Sequence, residues 1–145
     1  MITIRLSRPD DVDRLFEIWR SAVEATHDFL KPEDLEFISG QVREGYLPEA
    51  SLHLAVDRDD RPLAFMGLEG DSIDTLFVDP AHHGRGIGRL LIGAARARGL
   101  PLKVDVNEQN TRAVGFYERM GFRQVGRSPL DSAGMPYPLL HLSEA

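Results

Sequence analysis

Between positions 82 and 91 the chain reads HHGRGIGRLL, with glycine at 84, 86 and 88 and one larger residue between each pair. An apolar run that stops at Asp79-Pro80 precedes it, and a helix-like pattern follows. A turn without side chains at the start of a helix presents its amide N–H groups outward, and such a turn holds anions. Glycine also lets the main chain approach a phosphate more closely than a β-carbon would permit. Arg85 and Arg89 flank the turn and add charge-assisted donors. The chemistry this implies is a grip on a phosphate or diphosphate, set against the plainer reading of a tight connection. A P-loop needs Lys-Ser/Thr after its last glycine, whereas Arg89-Leu90 stands here, so a P-loop NTPase is excluded. A dinucleotide fingerprint spaces its glycines G-x-G-x-x-G early in a βαβ unit. Here the spacing is G-x-G-x-G and it comes after other strands, although Asp105 lies 17 residues past Gly88. Adjacent histidines point in different directions, so His82 and His83 do not make a metal site without a second cluster of ligands.

The elements that must position this turn are legible from periodicity. ITIRL places Ile2, Ile4 and Leu6 on one face of a first strand. Pro9 and Asp10 open a helix bearing Val12, Leu15, Phe16, Trp19, Ala22 and Val23, ending near ATHDFL at 25–30. Pro32 suits the first turn of a second helix with Leu35, Ile38 and Val42 on one side. LHLAV (52–56), the turn DRDDRP and LAFMGL (63–68) read as a hairpin, and SIDTLFV (72–78) as the next strand. After the glycines, RLLIGAARARGL predicts a helix with Leu90, Leu91 and Ala94 inward and Gly99 at its exit. LKVDV (102–106) is a strand, and NTRAVGFYERMGF a helix with Ala113, Phe116, Tyr117 and Met120 on one face, ending at Gly121. Short strands near 122–125 and 137–142 close the series. The order β-α-α-β-β-β-α-β-α-β-β predicts an α/β or α+β fold with helices packed on a mixed sheet. The strand–glycine turn–helix–strand unit implies a right-handed crossover.

A chain of 145 residues is expected to form one domain, 1–145, large enough for a real core. Its 42% apolar and 28% charged content is that of a globular protein. No apolar run approaches the roughly 18 residues of a membrane span, and MITIRLSRPDD has neither signal nor transit character. With no cysteine, disulfides, thiolate metal sites and a cysteine nucleophile are excluded, and a cytoplasmic location is expected. The net charge of −6 is uneven: residues 1–83 carry 8 basic against 18 acidic groups, and residues 84–145 carry 9 against 5. An acidic chain with no long basic run is a poor nucleic-acid binder, so neither nucleic acid nor membrane is expected as a partner.

LFVDPAHHGRGIGRLLI and, about twenty residues on, VNEQNTRAVGFYERMGF resemble the two signature blocks of the GNAT N-acetyltransferases. The first is similar to their Gln/Arg-x-x-Gly-x-Gly/Ala pyrophosphate loop, the second to their N-x-x-A-x-x-F-Y-x-x-x-G-F helix. The resemblance covers essentially the whole chain and is strongest toward the YjaB-type branch, through ATHDFL, DVNEQN and GMPYPLL. It implies the GNAT fold: a central mixed, mostly antiparallel sheet of about seven strands flanked by four helices and splayed between strands 4 and 5. It implies acetyl-CoA as cosubstrate and no metal. His83 stands where the family usually has Gln or Arg, which puts one side-chain contact to the pyrophosphate in doubt.

Carried over by residue, the resemblance assigns the main chain of Leu76, Phe77 and Val78 to the pantetheine arm and the acetyl carbonyl. It assigns His83, Gly84, Arg85, Gly86, Ile87, Gly88 and Arg89 to the pyrophosphate, and Asn107 and Asn110 to the second wall. Tyr117 falls near the sulfur, where a phenol can protonate the leaving thiolate. Arg112 and Arg119 are candidates for the 3′-phosphate. Acetyl transfer also needs a route for the amine's proton. The family's usual Glu position is Ser72 here, so Asp74 on the same strand face, His27 beside Asp28, Glu69 or a water relay are the candidates. Direct attack on the thioester in a ternary complex is expected, with a small-molecule or peptide amine as acceptor, from a monomer or homodimer. A non-catalytic acyl-CoA sensor and a nucleotide-binding oxidoreductase are the alternative readings.

Overall fold

Stretches of period two and period three-to-four alternate along the chain, and the computed structural model, which describes all residues from Met1 to Ala145, turns them into strands and helices in the expected order. The strands are β1 (Thr3–Leu6), β2 (Leu52–Val56), β3 (Pro62–Glu69), β4 (Ser72–Val78), β5 (Lys103–Asn107), β6 (Arg123–Ser128) and β7 (Leu139–Ser143). The helices are α1 (Val12–Thr26), α2 (Pro32–Gly40), α3 (Ile87–Arg96) and α4 (Thr111–Arg119). The sheet runs β1-β2-β3-β4-β5-β7-β6. The β1–β2, β2–β3, β5–β7 and β6–β7 ladders are antiparallel, whereas β4 and β5 are parallel, pairing Ser72 with Lys103 and Ile73 with Val104. The mixed, mostly antiparallel seven-stranded sheet with four helices is thus the one the family resemblance implies.

The chain divides into two compact units, Met1–Gly67 with Thr75–Ile92, and Leu68–Asp74 with Gly93–Ala145. In the first, α1 lays Leu15, Ile18, Trp19 and Val23 against Leu52, Leu54, Val56 and Phe65 of the hairpin strands. Each such buried side chain contributes about 1.5–3 kcal/mol. Phe77 of β4 joins them, its ring 5.6 Å from that of Phe65. In the second, Val104, Val106, Leu140 and Leu142 share one buried sheet face, and Tyr117, Met120 and Phe122 at the end of α4 are buried too.

The elements depart from the expectation in four places. Pro9–Asp11 is a separate 3-10 turn, because the Asp11 carboxylate accepts the Arg8 amide at 2.7 Å and closes the turn before α1 begins. The second helix runs on into a π-helical turn, Gln41–Tyr46, marked by the Leu47 amide donating to the Val42 carbonyl five residues back. Leu90, expected inward, is 40% exposed. Starting α3 at Ile87 puts Ile87, Leu91, Ile92 and Ala95 on the buried stripe instead, and Ala94 only half inside. β6 extends to Ser128 through a bulge between Gln124 and Gly126, and β7 starts two residues later than the sequence implied.

Candidate active site

The glycine turn is held at its start by a chain of polar contacts. At the end of β4 the Asp79 amide donates to the Leu63 carbonyl at 2.9 Å. The Asp79 carboxylate accepts the Ala81 amide at 3.0 Å and so caps the 3-10 turn Pro80–His82, whose proline supplies a preset φ. Arg14 of α1 reaches the same carboxylate at 2.7 Å and the Pro62 carbonyl at 2.9 Å. This guanidinium and the Ala81 amide outweigh burial and hold the Asp79 carboxyl below the usual carboxylate range. The strand, the turn and α1 are thereby joined at one point just before the loop.

Gly84 and Gly86 then take φ of +80° and +75°, a region that strongly favours glycine. A β-carbon at either would meet no protein atom within 4 Å, so the loop's outer face is open as well as left-handed. The first i-to-i−4 bond of α3 runs from the Leu90 amide to the Gly86 carbonyl at 3.0 Å. The amides of Ile87, Gly88 and Arg89 therefore have no acceptor within the helix. Gly88 already lies in helix and makes no left-handed turn. Arg85 and Arg89 are exposed at the rim, and His83 leaves the 3-10 turn in extended conformation. The reading of a tight connection has its reason in the left-handed residues Gly84 and Gly86. No group of three or more histidine, aspartate or glutamate side chains is placed to hold a metal ion.

Leu76, Phe77 and Val78 lead directly into this turn. The partly buried Phe77 side chain packs against the core cluster of the first unit. One residue earlier, Thr75 hydrogen-bonds through Oγ1 with the Tyr46 hydroxyl at 2.8 Å and accepts the Gly67 amide at 3.1 Å. A β-carbon at Gly67 would collide with both hydroxyls. The sequence reading missed Tyr46, because its position depends on the π-turn, and missed Arg14 and Asp79, whose pairing spans 65 residues.

His27 closes α1 rather than joining the loop. Thr26 Oγ1 donates to the Ala22 carbonyl at 2.7 Å and lies 2.8 Å from His27 Nδ1. The hydroxyl proton is committed to Ala22, so Nδ1 carries the imidazole hydrogen and Nε2 presents the lone pair. Burial, opposed by the charge of Asp28, pushes His27 from the ordinary 6.5 down to about 4. The ring stays neutral at neutral pH.

In the second unit, Asp74 is exposed. Asn107 ends β5, and its carbonyl accepts the Asn110 amide at 2.9 Å. Asn110 is buried and caps α4, its Oδ1 accepting the Ala113 amide at 3.1 Å. Its place in the motif therefore has a structural reason of its own. Tyr117 is buried on α4 between edge-on neighbours Phe116 and Phe122, at 5.1 and 5.3 Å between ring centroids. Burial pushes its phenol above the ordinary 10.0, so it remains a proton donor. Arg112, Arg119 and Glu69 are exposed. The candidates thus fall in both units: His27, Leu76–Val78 and the loop in one, and Glu69, Asp74, Asn107, Asn110 and Tyr117 in the other.

Residues 22–137 match the model of the Acetyltransferase (GNAT) domain. The chain belongs to the GNAT acetyltransferases. It is 48% identical over 146 residues to the peptidyl-lysine N-acetyltransferase YjaB of Salmonella typhimurium, covering 98% of this chain and 97% of that one. To YjaB of Escherichia coli it is 46% identical, with 99% and 97% covered. The solution structure of apo YjaB from Escherichia coli superposes with a TM-score of 0.95 at 46% identity over 100% of this chain and 98% of that one. It is a GNAT enzyme of the YjaB type, and its cosubstrate is acetyl-CoA. An open, left-handed glycine loop at the start of a helix fits the diphosphate of that cosubstrate. No helix of this GNAT chain is long and apolar enough to cross a membrane.

Proposed function

We propose that the chain acetylates the ε-amine of lysine in a protein or peptide, by direct attack on acetyl-CoA in a ternary complex. The observation that carries the acceptor class is near-full-length identity of 48% to an enzyme named a peptidyl-lysine N-acetyltransferase. The chain acts as one catalytic domain in the cytoplasm. With no cysteine in 145 residues, a thioester on the enzyme is excluded, which supports direct transfer.

In this reading the amides of residues 84–89 hold the pyrophosphate, and the side chains of Arg85 and Arg89 add charge. Main-chain groups of Leu76, Phe77 and Val78 align the pantetheine arm, with a Val78-side amide as donor to the carbonyl oxygen as charge develops there. Asn107 and Asn110 form the second wall. The uncharged lysine nitrogen forms the C–N bond, the C–S bond breaks, and Tyr117 protonates the departing thiolate. At about 4, His27 is unprotonated but weakly basic, and Asp74 is open to water. The amine's proton therefore leaves through a water relay passing one of them rather than resting on a strong base. The acidic residues 1–83 favour a cationic acceptor.

The test is acetyl-CoA-dependent thiol release on lysine peptides with blocked N-termini, beside polyamines, amino acids and aminoglycosides, with mass-spectrometric mapping of the product. Turnover that places acetyl on Nε and vanishes when lysine is replaced by arginine is the expected result. Turnover confined to the small amines refutes the acceptor.

A further inference from the structure

Three residues outside the acetyl-transfer machinery meet on the C-terminal strands. Asp105 of β5 is paired directly with His141 of β7, and His141 with Gly126 of β6. Cross-strand partners share a face, and this face is opposite to the one buried through Val104, Val106, Leu140 and Leu142. Asp105 Oδ1 lies 2.6 Å from His141 Nδ1, and Ser128 Oγ lies 2.7 Å from His141 Nε2. The missing side chain at Gly126 seats the ring: a β-carbon there would come within 3.2 Å of His141 Cδ2.

An ionised carboxylate only accepts, so Nδ1 carries the imidazole hydrogen. In the neutral ring Nε2 is then a bare acceptor, and the Ser128 hydroxyl must donate to it. The serine proton is aimed at a base, the base is oriented by a carboxylate, and the oxygen's lone pairs are left free. That is the division of roles in a Ser-His-Asp triad, which is recognised by geometry and not by sequence order. The three side chains remain accessible, with His141 34% and Asp105 58% exposed and Ser128 half-buried.

We propose that Ser128 is an activated nucleophile and that Ser128, His141 and Asp105 form a second acyl-transfer site, taking small activated carboxylic esters. In the first step the bond from Ser128 Oγ to the acyl carbon forms and the ester C–O bond breaks. His141 takes the serine proton and passes it to the leaving alkoxide. Water, deprotonated by the same imidazole, then releases the carboxylic acid and returns the hydrogen to Ser128. Asp105 is a positioning residue that fixes the tautomer and steadies the imidazolium. With a fluorophosphonate in place of the ester, Oγ bonds to phosphorus, fluoride leaves, and the reaction stops at a stable adduct.

The experiment incubates the full chain with a fluorophosphonate probe and maps the adduct by peptide mass spectrometry, alongside hydrolysis of p-nitrophenyl acetate. The expected result is one adduct, on Ser128, that also blocks ester hydrolysis. Ser128→Ala abolishes labelling and His141→Gln slows it at least about a hundredfold, the scale of losing a general base. Asp105→Asn slows it to a smaller degree, while all three variants keep acetyl-CoA-dependent turnover and a cooperative thermal transition. Absence of an adduct on Ser128 overturns the proposal, as does equal labelling in folded His141→Gln. If that variant does not fold, the adduct position and the loss of ester hydrolysis in the wild-type chain still decide. Neither outcome bears on the lysine acceptor, which is read from separate residues by a separate assay.

Discussion

Tyr117→Phe separates chemistry from packing. The substitution removes one oxygen and keeps the ring that Phe116 and Phe122 hold edge-on at 5.1 and 5.3 Å. Unfolding free energy is therefore expected to move by no more than about 1.5 kcal/mol. Tyr117→Ala, in contrast, would open a cavity costing about 3–5 kcal/mol and blur the result. If the phenol protonates the leaving thiolate, its loss lowers kcat by about 10²–10⁴, or about 3–5 kcal/mol of barrier. The KM for acetyl-CoA should change little, because ground-state contacts remain. Burial raises the phenol above 10.0, so wild-type kcat carries no basic limb from Tyr117 between pH 6 and 9. Single-turnover thiol release at saturating acetyl-CoA, with thermal unfolding on the same samples, gives both quantities. Unchanged kcat in a folded Tyr117→Phe enzyme refutes the donor role. So does a wild-type basic limb below pH 9 that disappears in the variant.

His27 gives a pH test with a definite sign. Its folded value of about 4 lies below the ordinary 6.5, so the unfolded chain binds more protons between those limits. Stability contributed by the neutral ring is complete above about pH 6.5, declines as pH falls and levels off below about 4, by up to roughly 3 kcal/mol; His27→Gln should flatten that part of a pH series of denaturant melts. Gly86→Ala places a side chain at φ +75°, expected to cost about 1–2 kcal/mol of stability; a several-fold rise in KM for acetyl-CoA with kcat nearly unchanged is its kinetic signature, read from initial rates.

What the sequence made legible was whatever is written in local spacing. Each strand or helix, the glycine loop and the N-x-x-A-x-x-F-Y helix occupy fewer than twenty consecutive residues, and their periodicity is set by the backbone itself. The π-turn was hidden because its bond from Leu47 to Val42 differs from a helical one by a single residue. Leu90 was misplaced because an apolar residue fits the helical stripe in either of two phases until Ile87 fixes the first turn. Arg14 with Asp79, Tyr46 with Thr75, and Asp105 with His141 and Ser128 join residues between 13 and 65 positions apart. No helical or strand period links them, and only the fold brings them together. Asn110 was legible as a motif member but not as a helix cap, since either role accounts for the same residue type.

Arg14 and His27 sit near opposite ends of one fifteen-residue helix, α1, a rod about 22 Å long. Its first turns clasp Asp79 beside the glycine loop, and its last residue adjoins the imidazole. A rod does not tilt at one end alone. Whatever shifts its Asp79 end therefore also shifts the residue next to His27 at the other.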